Sequence, residues 1–366
     1  MTDRITDRRF MRRALAIAIR GRGTTAPNPM VGAVVVHDGR IVGEGFTQPF
    51  GGAHAEVCAL RAAGDAARGA TVYVSLEPCN AQGHTPPCSE ALIAAGVARV
   101  VYAAADPNPA MRGGAERLRA AGITVLGGVE AQAAHDQNPA FFHRFGSDRP
   151  FVTLKLARSL DGATTDASRA RGWLTGPSAR REVHRQRSEH DAVAVGVGTA
   201  VADDPLLTVR GVAAPRVPPT RIVFDRTGRL PLLSALVTSM PAAPLIVIGD
   251  AIPEAKRALL EVAGASVIVA QGLTAQLRAL REVGVGSIYC EGGPTLADAL
   301  LAADIVDRLV IFTAPVLLGV DAVRPLQAGA PLSIHSAARL RLVSQRRLGD
   351  DLMAIYDLTS RVHRTR

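Results

Sequence analysis

The first 126 residues alternate between extended and helical hydrophobic patterns. Short runs of β-branched and aromatic residues predict strands, and apolar residues recurring every three to four positions predict helices. The predicted strands are residues 32–37, 40–45, 71–76, 97–104 and 123–126, and the predicted helices are residues 6–20, 54–63, 89–95 and 110–121. Asp38-Gly39 between the first two strands is a hairpin signal. The alternation predicts a three-layer α/β domain.

The periodicity stops at residues 138–150, where Asn138-Pro139 and the stretch from Gly146 to Pro150 interrupt it. A chain of 366 residues also exceeds one ordinary hydrophobic core. We therefore predict two domains, residues 1–147 and 148–366. The second has its own α/β pattern, with strands near residues 151–157, 191–197, 221–225, 244–248, 286–290 and 308–313.

Three potential metal ligands, His54, Cys79 and Cys88, accompany a carboxylate at Glu56. Zinc held by three protein ligands keeps a position for water and lowers the pKa of that water to near neutrality, so that hydroxide can attack an amidine-like carbon. A carboxylate must then carry a proton from the water to the departing ammonia. We assign the histidine and the two cysteines as ligands and Glu56 as the catalytic residue, in the general pattern of zinc nucleobase deaminases.

Other interpretations of these residues stay open at this point. The four cysteines could be ordinary buried thiols, and Cys58, one helical turn after His54, could replace a ligand. A zinc site closed by four ligands would be structural, and the protein would then bind without turnover. Cys290 lies in an apolar strand and is expected in the core.

Composition and charge narrow the class of protein. The net charge is +9, but the basic residues are scattered along the chain, so phosphorylated small ligands explain the excess as well as nucleic acid does. No apolar run is long enough to span a bilayer, and the charged first residues lack the apolar core of a signal peptide. Few cysteines agree with a reducing compartment. We predict a cytoplasmic protein with neither a membrane nor a nucleic-acid partner.

The second domain contains a glycine-rich turn after a predicted strand. Residues 287–290 lead into Glu291-Gly292-Gly293-Pro294-Thr295 and then an apolar helix, an arrangement that exposes backbone N–H groups to phosphate. A plain strand-to-helix turn is the alternative. Gly196-Val197-Gly198 resembles half of a dinucleotide fingerprint, but Val201 stands where the third glycine belongs, so a Rossmann domain is not indicated.

Several further motifs, together with those above, resemble the bifunctional deaminase/reductase family of riboflavin biosynthesis over nearly the whole chain. They are Pro27-Asn28-Pro29-Met30-Val31-Gly32, Glu77-Pro78-Cys79, Thr85-Pro86-Pro87-Cys88, Asp106-Pro107-Asn108-Pro109, Lys155 to Gly162, Trp173-Leu174-Thr175-Gly176 and Ala202-Asp203-Asp204-Pro205. The resemblance implies a cytidine-deaminase-like N-terminal domain and a C-terminal dihydrofolate-reductase-like α/β domain that binds NADPH. It also implies a homodimer.

The resemblance implies two successive reactions on a phosphorylated ribosylaminopyrimidine. The first is zinc-dependent deamination of 2,5-diamino-6-ribosylamino-4(3H)-pyrimidinone 5′-phosphate, and the second is NADPH reduction of its ribosyl group to ribityl. The remaining alternative is a nucleic-acid base deaminase fused to an unrelated domain, which predicts salt-dependent RNA binding.

Roles for individual residues follow from the resemblance. The substrate-binding positions would be Asn28, which holds the pyrimidine, and Lys155, Arg171, Arg187, Leu207, Arg210 and Glu291. The cofactor-binding positions would be Ala157, Trp173, Thr199, Asp203, Arg226, Gly293, Pro294, Thr295, Leu296, Ala297, Asp298 and Ala299. Lys155 and Asp203 are the candidate proton donors for the reduction. The sequence departs from the family pattern at Thr47, Phe50, Ala81, His84 and Arg171.

Overall fold

The computed structural model describes residues 2–83, 86–168, 172–326, 337 and 339–362. The chain divides into two compact units, Met1–Gly146 and Ser147–Arg366, which we call the first and the second unit. His84 and Arg171 lie outside the described residues. Among the described helices, none combines the length and the apolar character needed to cross a bilayer.

The first unit contains one mixed sheet and six α-helices among its described residues. Its elements are α1 (Thr2–Ala18), β1 (Gly32–His37), β2 (Arg40–Phe46), α2 (Ala55–Ala63), β3 (Thr71–Leu76), α3 (Cys88–Ala94), β4 (Arg99–Ala104), α4 (Gly114–Ala120), β5 (Thr124–Leu126), α5 (Ala131–Gln137) and α6 (Pro139–Arg144). The strand order is β2-β1-β3-β4-β5. β1 is antiparallel to β2 and β3, whereas β3, β4 and β5 run parallel.

Helix α2 packs directly on strand β2 because the strand carries glycine at the contact. A Cβ atom on Gly45 would lie 2.4 Å from the carbonyl oxygen of Ala55 and 2.4 Å from the backbone nitrogen of Ala59. Side chains at this position would therefore push the helix away from the sheet. The close approach fixes the first turn of α2, where Glu56 lies.

Two predicted boundaries in the first unit are wrong. Residues 110–113 do not join the predicted helix at 110–121, because the backbone turns here: Met111 N–H donates to the carbonyl of Asn108, and Gly113 adopts a φ of +99°. The helix begins at Gly114. Asn138-Pro139, interpreted as an interruption, instead starts α6, since proline is well suited to the first position of a helix.

The second unit is built on a nine-stranded sheet. Its elements are β6 (Phe151–Arg158), α7 (Pro177–Arg187), β7 (Ala192–Gly196), α8 (Val197–Asp203), β8 (Thr220–Phe224), α9 (Ala235–Thr238), β9 (Leu245–Gly249), α10 (Glu254–Val262), β10 (Ser266–Val269), α11 (Gly272–Glu282), β11 (Ser287–Cys290), α12 (Pro294–Ala302), β12 (Arg308–Thr313), β13 (Arg339–Leu348) and β14 (Asp351–Val362). The order is β10-β9-β8-β7-β11-β6-β12-β14-β13.

Seven neighbouring strands of this sheet, from β10 to β12, run parallel, and β14 and β13 add an antiparallel hairpin at one side. The carboxyl ends of β8, β7, β11 and β6 therefore meet at one edge. Ligands of open parallel sheets bind outside that edge. The predicted cofactor and substrate residues that follow these strands are thus brought to the same side of the sheet.

Candidate active sites

Three side chains of the first unit form a compact cluster of metal-ligand type. His54 is the N-cap of α2, Cys79 follows β3 after Glu77-Pro78, and Cys88 is the first residue of α3. The Nδ1 atom of His54 lies 3.6 Å from Sγ of Cys79 and 3.3 Å from Sγ of Cys88. All three donor atoms lie within 4.8 Å of one another. One imidazole nitrogen and two thiols in this arrangement fit zinc.

The pKa values of the two thiols in this cluster are shifted in opposite directions. A hydrogen bond from Cys88 lowers the pKa of Cys79 to about 4, and the same hydrogen bond raises the pKa of Cys88. Hydrogen bonding to Cys79 raises the pKa of His54. A divalent cation held by the three donor atoms would take the place of protons on them.

Glu56 lies beside this cluster and is only 4% exposed. Burial raises the pKa of Glu56 to about 7, and the nearby Cys79 thiolate acts in the same direction. A carboxyl group that titrates near neutrality can both accept and donate a proton. The position of Glu56 in the first turn of α2 is thus suited to proton transfer next to the metal ligands.

The two other cysteines do not join the cluster. Cys58 is half-buried, and its Cβ faces Gly45 of β2, where a glycine Cβ would lie 2.6 Å from it. Cys290 is 1% exposed in β11, and burial raises its pKa to about 12, as expected for a core thiol. The cluster of the described residues consists of His54, Cys79 and Cys88, so the alternative with Cys58 as a ligand is not supported.

Glu77 fixes the loop that carries Cys79, a role that the sequence patterns did not reveal. Its Oε1 accepts the N–H groups of Gly113 (3.3 Å) and Ala115 (3.1 Å), and its Oε2 accepts that of Asp106 (3.3 Å). A Cβ on Gly114 would lie 1.8 Å from the carbonyl oxygen of Pro78. The ligand loop is therefore held against residues 106–115. The motif Glu77-Pro78-Cys79 marked the position of Glu77 but not these contacts.

Asn28 lies in the loop that precedes β1 and is partly exposed. The same loop is held by Asn138, whose Oδ1 accepts the N–H of Met30 at 2.8 Å and whose Nδ2 donates to the carbonyl of Met30 at 2.9 Å. The side-chain amide thus pairs with both polar groups of one backbone residue. No sequence pattern predicted this contact, which joins positions 108 residues apart.

The departures from the family pattern in the first unit are accommodated within the fold. Thr47 is 4% exposed, and its backbone N–H donates to the carbonyl of Val31 at 2.9 Å. Phe50 is partly buried, and its N–H donates to the carbonyl of Thr24 at 3.3 Å. Ala81 lies in a partly buried bend after Cys79. Thr47 and Phe50 lie in the segment between β2 and His54, and Ala81 lies between Cys79 and Cys88.

A charged group of the second unit combines three of the predicted substrate residues. Arg187 at the end of α7 donates from Nε to Oε1 of Glu291 at 2.5 Å and from Nη2 to Oε2 at 3.1 Å. Its Nη1 donates to the carbonyl of Thr208 at 2.9 Å. Leu154 pairs with Cys290 in the parallel register of β6 and β11, which places Lys155 next to Glu291. Arg187 is thus engaged with Glu291, whereas Arg210 is exposed.

Burial and charge act together on this group. Burial lowers the pKa of Lys155. Burial alone would raise the pKa of Glu291, but the Arg187 charge and its hydrogen bonds outweigh burial and lower that pKa. Leu207 contributes differently, because its side chain is 2% exposed in the core and its φ is +52°. A ligand could therefore meet Leu207 only through its backbone.

The predicted cofactor residues lie along the carboxyl edge of the sheet. Gly293 is the N-cap of α12, and its N–H donates to Oγ1 of Thr199 in α8 at 3.0 Å. A Cβ on Gly293 would lie 2.9 Å from that oxygen. Ala157 is the second-to-last residue of β6, Asp203 ends α8, and Arg226 follows β8 with 81% of its side chain exposed. A glycine turn at a helix N-terminus fits the phosphates of a dinucleotide.

The residues from Gly293 to Ala299 do not all face that edge. Pro294, Thr295, Asp298 and Ala299 are partly or fully exposed, whereas Leu296 is 9% exposed and Ala297 is 0% exposed. The two buried side chains pack in the core, so they can reach a cofactor only through their backbone. Trp173 precedes α7 in the chain and is 78% exposed.

The partly buried His-Cys-Cys cluster with its carboxylate, and the glycine turn at the carboxyl edge of a parallel sheet, define an enzyme class that joins a zinc-dependent aminohydrolase to a dinucleotide-dependent reductase. Residues 150–354 match the family model described as the RibD C-terminal domain, and residues 4–104 match the cytidine and deoxycytidylate deaminase zinc-binding region. The riboflavin biosynthesis protein RibD of Aquifex aeolicus (strain VF5) is 41% identical over 355 residues, 96% of this chain and 98% of that protein. The chain belongs to the RibD family of bifunctional deaminase/reductases of riboflavin biosynthesis.

Other relatives and solved structures agree. RibD of Escherichia coli (strain K12) is 44% identical over 340 residues, 86% of this chain and 89% of that protein. The structure of Acinetobacter baumannii RibD, form 1, has a TM-score of 0.83 at 37% identity and covers 97% of this chain and 99% of its own. A diaminohydroxyphosphoribosylaminopyrimidine deaminase/5-amino-6-(5-phosphoribosylamino)uracil reductase from Thermotoga maritima has a TM-score of 0.81 at 32% identity, with 97% and 99% coverage.

These findings confirm the predicted fold class, the bifunctional deaminase/reductase function and the cofactors zinc and NADPH. The alternative of a base deaminase fused to an unrelated domain is not supported, because the second unit matches the reductase of the same family.

Proposed function

We propose that the first unit removes the pyrimidine amino group of 2,5-diamino-6-ribosylamino-4(3H)-pyrimidinone 5′-phosphate and that the second unit then reduces the ribosyl group of the product. The observation that supports the first step is the cluster of half-buried His54 with buried Cys79 and Cys88, beside buried Glu56. The relative from Thermotoga maritima carries both activities in its name.

His54, Cys79 and Cys88 would hold the zinc ion. When bound, zinc supplies a Lewis acid that lowers the pKa of a water molecule. Glu56 accepts a proton as water adds to the ring carbon and returns it to the amino nitrogen as the carbon–nitrogen bond breaks, which releases ammonia. The burial of Glu56 supports this role, since it raises the pKa to about 7 and so eases both transfers.

In the second unit, Ala157, Thr199, Asp203, Arg226 and the turn from Gly293 to Ala299, together with Trp173, would hold NADPH. NADPH supplies the hydride that reduces the open-chain imine of the sugar at its first carbon. Glu291, Arg187 and Arg210 would contact the substrate, along with the backbone at Leu207. Arg171 is proposed as a further substrate contact on the resemblance alone.

The imine nitrogen must gain a proton as its carbon gains hydride, and we favour Lys155 over Asp203 as the donor. Lys155 lies in the sheet next to Glu291, and burial lowers its pKa, which makes its ammonium a stronger acid. Asp203 is exposed at the end of α8. Full reductase turnover in Lys155→Ala would remove this assignment.

One assay tests the two-step proposal. The purified chain is given the diamino-ribosylaminopyrimidine phosphate with NADPH, and ammonia release and NADPH oxidation are recorded together. The expected result is ammonia release that does not require NADPH, followed by NADPH oxidation that requires prior deamination. NADPH oxidation without ammonia release would contradict the order.

We also propose a homodimer in the cytoplasm. The resemblance to the family supports the dimer, and the four free cysteines, two of them in the metal cluster, support a reducing compartment. Light scattering of the purified chain tests the dimer, and a mass equal to one chain would contradict it.

A further inference from the structure

The chain has a single tryptophan, Trp173, and it lies on the surface of the second unit. Its side chain is 78% exposed, just before α7. An indole with so little buried area gains little from packing, so packing alone does not fix its orientation. Another contact must hold the ring if it is to present a defined face.

Arg180, in the first turns of α7, contacts the tryptophan segment at two points. Its guanidinium carbon lies over the indole at 5.3 Å from the ring centroid. Its Nη1 donates to the carbonyl of Thr175 at 2.7 Å. A planar guanidinium can stack on a ring and donate in its own plane at the same time, which an ammonium cannot do.

The far end of the same segment is anchored separately. Thr175 is 9% exposed, and the N–H of Gly176 donates to Oδ2 of Asp351 at 2.8 Å. Asp351 is itself 4% exposed. The backbone at 175–176 is therefore fixed to the fold, and Arg180 extends that support to the exposed indole.

We infer that Arg180 is a positioning residue that orients Trp173 for NADPH, an inference that rests on the proposed function, in which Trp173 contacts the cofactor. The guanidinium covers part of one ring face, and most of the indole surface stays open for the cofactor. Arg180 acts through Trp173 and Thr175, so it should affect cofactor affinity more than the chemical step.

The single tryptophan makes this inference measurable in the full-length protein. Indole emission overlaps the absorption of the reduced nicotinamide, so NADPH bound near Trp173 quenches its fluorescence. Titration of the wild-type chain with NADPH gives a Kd from this quenching. Arg180→Ala, Arg180→Lys and Arg181→Ala are titrated in parallel. Arg181 is the matched control, because it is the adjacent, exposed arginine of the same helix.

Arg180→Ala removes one cation–π contact and one hydrogen bond, so we expect the Kd for NADPH to rise about tenfold, which corresponds to about 1.4 kcal/mol. The reductase kcat at saturating NADPH should recover while the KM for NADPH rises. Arg180→Lys keeps a cation near the ring but not the second contact, and should fall between Arg180→Ala and the wild type. Arg181→Ala should bind as the wild type does.

Equal NADPH affinity in Arg180→Ala and Arg181→Ala would overturn the inference. Circular dichroism and thermal melting show whether Arg180→Ala folds; if it does not, Arg180→Lys decides, and an unchanged Kd with unchanged indole emission would count against Arg180. A wild-type chain that oxidises NADPH without any quenching of Trp173 would instead remove the assignment of Trp173 to the cofactor site, and the inference with it.

Discussion

The two proposed active sites of this chain differ in how much of their residues is exposed. The proposed metal ligands and proton carrier of the deaminase come from positions 54 to 88, and Glu56, Cys79 and Cys88 are each at most 8% exposed. The reductase residues come from positions 155 to 299, and two of them, Trp173 and Arg226, have mostly exposed side chains. A resident metal needs fixed donors in a dry site, whereas a cofactor that enters and leaves at each turnover needs an open edge. The difference predicts that substitutions in the first site act on chemistry and those at the second act more on binding.

The largest effect should come from Glu56→Gln. Glu56 is the only proton carrier proposed for deamination, so its loss should lower the deamination rate by about 10²–10⁴-fold. Reduction of supplied deaminated substrate should be unchanged, because the reductase residues lie in the other unit. Zinc content by metal analysis is the control, and it should match the wild type. A folded Glu56→Gln variant that has lost both activities would contradict the proposal that the two sites act independently.

Glu291→Gln should give the next largest effect, on stability as well as reduction. Arg187 and Glu291 are 10% and 11% exposed, and removing the carboxylate leaves a buried guanidinium without its counter-charge, which costs about 3–5 kcal/mol. Thermal melting of the full chain measures it. Glu261→Gln is the matched control, since its pair with Arg257 is exposed and contributes little. Equal melting of the two variants would contradict the importance of the buried pair.

A smaller, pH-dependent effect is expected for Asp7→Asn in the first unit. Arg99 donates to both oxygens of Asp7 at 2.8 Å, and the hydroxyl of Tyr73 donates to it at 2.8 Å. The hydrogen bonds from Arg99 hold the pKa of Asp7 below its ordinary value of 3.8. Because the folded pKa is the lower one, the carboxylate stabilises the fold above about pH 4 and loses that effect as the pH falls through the folded pKa.

Asp7→Asn should therefore lower the free energy of unfolding by about 1–3 kcal/mol at neutral pH. The difference in the free energy of unfolding between Asp7→Asn and the wild type, here called the gap, should shrink as the pH is lowered. Urea unfolding at several pH values, on protein stripped of metal, measures the gap. Glu90→Gln is the control, because both partners of its pair with Arg117 are exposed and the pair contributes little. A gap that stays constant below pH 3.8 would contradict a lowered pKa for Asp7 in the folded state.

The smallest effect should come from Asn138→Ala. It removes both hydrogen bonds to Met30, so the loop that carries Asn28 is less well placed and the deaminase KM should rise about tenfold with little change in kcat. Gln137→Ala is the control, because the neighbouring amide donates to the carbonyl of Leu15 in α1 instead. Steady-state ammonia release measures both variants. The same KM in the two would show that Asn138 does not place the loop.

The sequence was most informative where function depends on local spacing. His54 and Glu56 share a helix start, and Cys79 and Cys88 flank a short loop, so periodicity and turn residues predict their proximity. Arg180, Glu77 and Asn138 were missed because their contacts depend on tertiary packing. The partner of Asn138 lies 108 positions away, and nothing in a single sequence links the two.

Besides tertiary contacts, sequence patterns did not show which side chains are buried. The resemblance places Leu207, Leu296 and Ala297 among ligand-contacting positions, yet their side chains are 2%, 9% and 0% exposed. A family motif identifies a position but not whether its side chain or its backbone meets the ligand. The helix α6 was missed for a related reason. A proline can follow the end of one helix or occupy the first turn of the next, and only the surrounding fold shows that Pro139 begins α6.

The two hydrogen bonds between Asn138 and Met30 determine where a separate deaminase fragment can end. The match to the zinc-binding region ends at residue 104, but the amide that holds the Asn28 loop lies 34 positions later, between α5 and α6. A protein shortened to the matched segment would retain every proposed zinc donor and lose the support of the loop that carries Asn28. A stand-alone deaminase module should therefore be cut after Arg144, the last residue of α6.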